Sequence, residues 1–439
     1  MGFVKRTVLP ALVLFLGTLW FCPQELRAEE KSAVKAGYGW SVQGKGANVK
    51  EAVKETLAMV RKNVERPDFL FLFSTVGYDS QALLEEVNKQ LGRKVKIYGG
   101  TSCLGVMTSD GFHIGDSASM AMLGISSRNI VFGVGSASLD EEKTARDAGR
   151  KAVLAAIKNA GKKEMDSKPD IIFMTAAPGE EEGILDGIAD VVGRDVPVFG
   201  GSSADNDITG KWHQFANSNV YSNGVVLAAV YTDLKVGYTY ETGYLRSTEQ
   251  GVVTRAKGRV IYEIDNESAA VVYNRWLGGK FDDIMENGGS ILSRATFHPL
   301  AKTIRGERGQ TYYVSIHPLS IDLPQKSLTV FANVNTGDNI SLLQGNWEML
   351  LNRCYSTPAK ACLQGELTKD ESSFAVFTFC GGTMLAIPED DRAKMPALVK
   401  EAIGSTPFIG VFTFGEQGFL PGFGSAHGNL VSSMVVFGE

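Results

Sequence analysis

Two places in the chain pair adjacent glycines with adjacent hydroxyl side chains: Gly99-Gly100-Thr101-Ser102 and Gly200-Gly201-Ser202-Ser203. Each ends a short apolar run, Val95 to Tyr98 and Val196 to Phe199. A glycine without Cβ admits positive φ and lets a second backbone or a ligand come close. Hydroxyls and backbone N–H groups at the carboxyl end of a buried strand suit recognition of a carboxylate or another small anion. Three of the five histidines add to the pattern, because His113, His213 and His427 stand 13, 12 and 12 residues after Gly100, Gly201 and Gly415. An imidazole at each such place would titrate near neutral pH. The expected ligand-binding set is Thr101, Ser102, Ser202, Ser203, Cys380, Glu416, His427 and Asn429, with His113 and His213 as secondary candidates. With an amino acid or a related metabolite as the small-molecule ligand, Glu416 would meet the ammonium group.

Other chemistries use the same residues. Cys380 or Cys103 as nucleophile, with His427 or His113 as base, would make a thiol enzyme, although the chain has no Gly-x-Ser-x-Gly elbow. Haem needs one imidazole and an apolar pocket, and His298 and His317, each before a proline, are its candidates. No His-x-x-x-His or Cys-x-x-Cys spacing supports a metal. The expected reading is a non-enzymatic binding protein without a cofactor, haem being the open alternative. Glu180-Glu181-Glu182 reads as a solvated helix start favoured by the helix dipole.

The elements that would position these groups recur along the chain. Asn48 to Val64 carries Val53, Leu57 and Val60 at helical spacing, and Asp68 to Phe73 is a buried strand. A helix capped at Asp79 or Ser80 and closed by Gly92 leads to the first glycine pair, and strands at Ser117 to Leu123 and Asn129 to Ser136 follow. Residues 144–242 repeat that order, so residues 48–140 and 144–242 form two internal repeats. After a changed texture from Gly243, with a polar turn at Val252 to Gly258 and loop-like residues from Gly278 to Arg308, a third and more diverged copy appears. It comprises a strand Phe374 to Cys380, a helix Asp390 to Ile403, a strand Pro407 to Gly415 and a strand Leu430 to Phe437. The fold class is α/β (α+β), with mixed sheets flanked by helices and built from repeated β-α-β-β units.

At 439 residues the chain has room for two or three domains. Lys5-Arg6, the apolar run Val8 to Phe21, and Leu26 and Ala28 before Glu29 predict a cleaved signal peptide over residues 1–28. Periplasmic or secreted localisation follows, without stable membrane insertion after cleavage. Loss of Lys5, Arg6 and Arg27 against Glu25 takes the net charge from −5 to about −7, which argues against nucleic acid and anionic membranes as partners. In an oxidising compartment Cys354 and Cys362, on either side of Ser356-Thr357-Pro358, are expected to pair as a disulfide between a helix end and a loop. Cys103 and Cys380 read as buried small residues or as site thiols.

The Gly-Gly-hydroxyl units resemble the FIST family together with two further segments. One is Val260-Ile261-Tyr262-Glu263-Ile264-Asp265 with Ser268-Ala269-Ala270 and Tyr273, and the other is the ending Cys380…Gly410…Gly415-Glu416…His427…Asn429. The resemblance implies an N-type domain over residues 29–245 and a C-type domain over 246–439. It also implies a sensory module for a small ligand, with amino acids the usual proposal, haem and nitric oxide sensing in some members, and output through a protein signalling partner. Where the family tends to carry an arginine soon after the cysteine, this chain has Cys380-Gly381-Gly382-Thr383.

Overall fold

The computed structural model describes residues 1–2, 34–44, 46–92, 94–115, 118–163 and 168–439. The expected signal peptide and its cleavage point lie, apart from Met1 and Gly2, outside the described residues.

One connectivity is used three times. In the first sheet Phe69–Ser74 runs parallel to Lys96–Thr101 across the helix Ser80–Leu91, Ala118–Ser126 returns antiparallel beside Phe69–Ser74, and Lys35–Gln43 lies outside it. In the second, Ile171–Ala176, Val198–Gly201, Gly224–Thr232 and Ile130–Ser138 take the same places, with the helix Glu181–Val192 as the crossover. In the third they are taken by Ser372–Cys380, Phe408–Thr413, Ser432–Gly438 and Val236–Glu241. A fourth, nine-stranded sheet, whose strands fall within residues 245–344, is inserted into the third unit ahead of the helix Trp347–Gln364.

Each six-stranded sheet is completed by a hairpin from another unit. Gln214–Ala216 with Asn219–Tyr221 extends the first, Glu416–Leu420 with Gly424–Gly428 the second, and Gly105–Thr108 with Gly111–Ile114 the third. The exchange runs in a closed cycle, so the sheets assigned to the two expected domains share strands.

Strand alternation explains the core. Phe69, Phe71 and Phe73 face a common aromatic cluster with Phe173, Phe199, Phe374 and Phe437, whereas Leu70 and Leu72 face the flanking helices. Phe71 meets Phe173 edge to face at 5.2 Å, so two sheets touch through their rings. A strand buried on both sides must be apolar throughout, as Phe69–Ser74 nearly is. Capping follows sequence chemistry as well: Asp79 accepts from the Ala82 N–H at 2.7 Å.

Three expectations change. Residues 252–257 belong to the strand Leu245–Lys257, whose residues alternate between outward and inward faces, and the turn is confined to Gly258 and Arg259. The segment 278–308 is not all loop and contains the helix Leu292–Ala295 and the strand Leu300–Arg305. The helix expected to end at Cys354 continues through Pro358 to Gln364, held by burial of Thr357 and Pro358 and by a 2.8 Å bond between the Thr357 and Ser432 hydroxyls. The Cys354–Cys362 disulfide is therefore not formed, and both are buried free thiols. Eight residues along one helix separate their Cα atoms by roughly 12 Å, far beyond the ~7 Å that a disulfide can span.

Candidate functional site

The strand-end corners meet one another. Ala204 N–H donates to the Thr101 carbonyl at 2.9 Å, Ser202 N–H to the Gly415 carbonyl at 2.8 Å, and Cys103 N–H to the Phe412 carbonyl at 2.9 Å. Their hydroxyls stitch the junction together. Thr101 Oγ1 accepts from His213 N–H at 2.9 Å, and Ser102 Oγ accepts from Phe412 N–H at 2.9 Å while donating to the Gly105 carbonyl. Ser202 Oγ donates to Glu181 at 2.6 Å, and Ser203 Oγ pairs with Thr175 at 3.2 Å. All four hydroxyl residues are buried, and their bonding capacity goes to holding the corners.

The histidines do not converge. His113 stacks on Trp40 at 4.1 Å and pairs with Thr108 at 2.7 Å. His213 pairs with Ser80, and His427 lies between Gln417 and Glu181. His113 and His427 occupy the second strands of exchanged hairpins, whereas His213 precedes the first strand of its own. Burial lowers His113 and His317 alike, each to about 4.

Between the joined corners and the inserted sheet lies a cavity of about 390 Å³. Four sequence candidates reach its wall: Cys103, His317, Cys380 and Asn429. Phe414 and Gly415 belong to the third corner, Trp212 and Ile208 to a loop folded around Asp205, and His317, Phe331, Phe297 and Arg259 to the inserted sheet and its connections. Asp205 shapes that loop by accepting the backbone N–H groups of Ile208, Thr209 and Lys211 at 2.6–2.9 Å. Thr101, Ser102, Ser202, Ser203, Glu416 and His427 lie behind the wall. Most of the lining is apolar or aromatic, with Asn206, Asp207, Arg259, Ser293, Thr296, His317 and Asn429 as polar points, the composition of a small-molecule site.

Behind the wall sit two buried carboxyls. Glu181, expected in solvent, is fully buried and forms a 2.6 Å ion pair with Arg259, which also reaches Glu182 at 3.3 Å. Burial pushes Glu181 upward, but His427, Arg259 and the Ser202 hydroxyl outweigh it and hold the carboxyl below its ordinary range. Asn333 N–H donates to Glu182 at 2.7 Å, so this cluster clamps the helix Glu181–Val192 to the inserted sheet. Glu181, Glu182 and His427 have metal-ligating atoms within 4.8 Å of one another, yet the guanidinium already supplies the positive charge there.

Glu416 accepts from Thr413 at 2.8 Å, Gly415 N–H at 3.2 Å and Val431 N–H at 3.0 Å. Burial nonetheless raises its carboxyl from 4.5 to about 8. Burial and the neighbouring Glu416 push the Cys380 thiol upward against backbone donors at Thr383, Leu430 and Gly382, and burial takes Cys103 up to about 12. Between its ordinary 4.5 and about 8 the folded protein keeps a proton on Glu416 that the unfolded chain has released, so this group makes stability fall as pH rises through that window. His113 and His317 act oppositely between about 4 and 6.5, where the unfolded chain binds protons that the fold excludes. Comparing Glu416→Gln with wild type isolates the carboxyl: urea titrations should show the variant gaining up to about 1.4 kcal/mol per pH unit towards slightly alkaline pH. Parallel stability curves would refute the raised carboxyl.

Repeated sheets and an inserted antiparallel sheet enclosing a small, largely apolar cavity define a ligand-binding α/β protein. Family models match in two adjoining stretches, the FIST N domain over residues 68–267 and the FIST C domain over residues 269–419. The chain belongs to the FIST family, whose domains are sensory domains thought to bind small ligands. An uncharacterized protein of Methanocaldococcus jannaschii is 35% identical over 92 residues, a match that covers 20% of this chain and 17% of that relative. Among solved structures, a cyanuric acid hydrolase covers 92% of this chain and 100% of its own at 10% identity and a TM-score of 0.32. The cyanuric acid hydrolase of A. caulinodans covers 46% and 72% at 13% identity and a TM-score of 0.25.

Proposed function

We propose that this protein is an exported sensor for an amino acid or related metabolite with an apolar side chain, that its ligand occupies the 390 Å³ cavity, and that a partner protein receives the signal. The observation that carries the reading is the cavity itself, an aromatic enclosure with a few fixed polar points where corner loops meet a separate sheet. A ligand there touches both bodies and can bias their packing. Export rests on the leader-like residues 1–28, and the threefold recurrence of one strand order supports internal duplication. Haem suits the site poorly, since the lining imidazole, His317, has Nε2 engaged 2.9 Å from the Leu292 carbonyl.

A thiol enzyme is the second reading, favoured by the presence of both Cys103 and Cys380 in the cavity wall. Purified protein screened against amino acids should show a saturable thermal shift, a ligand at about 100 times its Kd adding about 2.7 kcal/mol. Ser293→Phe, which fills the cavity, should abolish that shift. If no compound shifts the transition and native mass spectrometry finds no bound molecule, the sensor reading fails. Turnover lost on alkylation of Cys380 would establish the thiol enzyme instead.

A further inference from the structure

A second cleft, of about 550 Å³, opens where the strand Val236–Glu241 turns at Gly243 into the inserted sheet. Two arginines on its wall lack a carboxylate partner among the described residues. Arg353, from the helix Trp347–Gln364, is 1% exposed, and its guanidinium lies over the Tyr244 ring at 4.6 Å. Nη1 donates to the Leu430 carbonyl at 2.6 Å, whereas Nε and Nη2 make no well-directed hydrogen bond among the described residues and have the Tyr244 side chain beside them. The ionisable groups facing it are Tyr244, Cys380 and Glu416. Burial raises all three, Glu416 to about 8, so at neutral pH the proton is held mostly on Glu416 and on both of the others. Arg246 stacks over Tyr313 at 4.9 Å and donates to Ser341, Tyr313 and Gln250, all neutral. Lys360 is matched by Glu241, which leaves two positive charges in the cleft of a chain whose net charge is −5.

A buried guanidinium with unfilled donors is expensive to maintain, and burial accordingly disfavours its charged form. A planar fork of N–H groups matches carboxylate and phosphate oxygens, and an aromatic backing holds the fork in place. We propose that this cleft is a binding site for a small organic dianion, with Arg353 taking the inner anionic group and Arg246 the outer one. The Tyr240, Tyr244, Tyr312 and Tyr313 rings supply the apolar surface for its carbon body. The site is independent of the metabolite cavity, and either can fail without the other.

The test is calorimetric titration of the full chain with succinate and with glycerol phosphate at low salt, repeated on Arg246→Gln. Exposed Arg246 can be replaced without disturbing the core. Saturable one-site binding weakened about tenfold or more in Arg246→Gln, with the unliganded thermal transition unchanged, is the expected result. Binding of succinate alone identifies a dicarboxylate site, and binding of glycerol phosphate alone a phosphate monoester site. Arg353→Met adds a second arm: it should abolish binding while leaving the unliganded protein no less stable, because it removes an unpaired buried charge. Neither probe binding at millimolar concentration, or both binding Arg246→Gln as tightly as wild type, overturns the proposal.

Discussion

Arg259→Met is expected to lower the unfolding free energy by about 3–5 kcal/mol, the usual consequence of removing one partner of a buried ion pair. Glu181 is wholly shielded from water, and its Oε2 atom lies 2.6 Å from the guanidinium. Without Arg259 it retains Ser202 and the Gly179 N–H as donors and His427 at 3.9 Å, which together replace only part of the guanidinium's interaction. The loss should therefore grow with pH, since the orphaned carboxyl can escape the penalty by protonating in acid. Urea unfolding of the single variant and of Arg259→Met combined with Glu181→Gln separates the causes. The double variant, with a neutral amide in place of the stranded charge, should recover most of the loss. A deficit below about 1 kcal/mol in the single variant would mean that the clamp between helix and inserted sheet is held by other contacts.

The local grammar of this chain is readable because each signal is short in range. Asp79 caps its helix, Gly92 and Gly193 close theirs with φ of 82° and 89°, and the apolar runs form the central strands. The succession of strands and helices is likewise legible from pattern alone, but the unit bounds are not: Ile130–Ser138 and Val236–Glu241, read as the last strands of the first and second repeats, are the outer strands of the second and third sheets. Nor is the destination of the hairpins. Gly105–Thr108 follows the first glycine corner, yet it pairs with Phe408–Thr413 near the other end of the chain, and nothing in a β pattern names its partner.

Site legibility divides along the same line. The cysteines at the glycine corners do reach the cavity, because a strand end fixes where its next residue lies. The neighbouring hydroxyls, expected to face a ligand, instead bond within the protein, Thr101 and Ser102 to other units and Ser202 and Ser203 to Glu181 and Thr175 of their own, since a serine's type does not reveal which partner will satisfy it. Glu181 illustrates the converse error: three acidic residues at a helix start look solvated until a distant arginine is folded over one of them. Arg259 and Phe331 carry no sequence signal for the site, and His317 reads only as a haem candidate, because all three join it through a sheet inserted within the third repeat. Pro358 reads as a helix end because its local cost is real, about 3 kcal/mol in an exposed helix, but burial against Ser432–Gly438 outweighs it.

The glycine corners make the second large prediction. A Cβ at Gly99 would lie 1.7 Å from the Leu72 carbonyl oxygen, and one at Gly200 would lie 1.9 Å from that of Met174. Both obstacles are backbone atoms of the paired parallel strand, so no rotamer change relieves them. Gly200 also has φ of +148°, which an L side chain rarely adopts. Gly200→Val should therefore cost at least about 3 kcal/mol from overpacking and backbone strain combined, and Gly99→Val should cost nearly as much from overpacking alone. Gly179→Ala is the internal control, for it has φ of +133° but no described atom within 4 Å of its Cβ position. Its loss should be limited to conformational strain of about 1–3 kcal/mol. Denaturant titration of the three variants orders these effects, and the damage at Gly200 should extend beyond stability. Its corner supports Ser202 and the contact with Gly415, so displacing the strand end should also open the cavity wall and weaken whatever ligand the thermal screen identifies. A Gly200→Val protein as stable as wild type would show that the close strand approach is dispensable, and the corner would lose its role in placing the site.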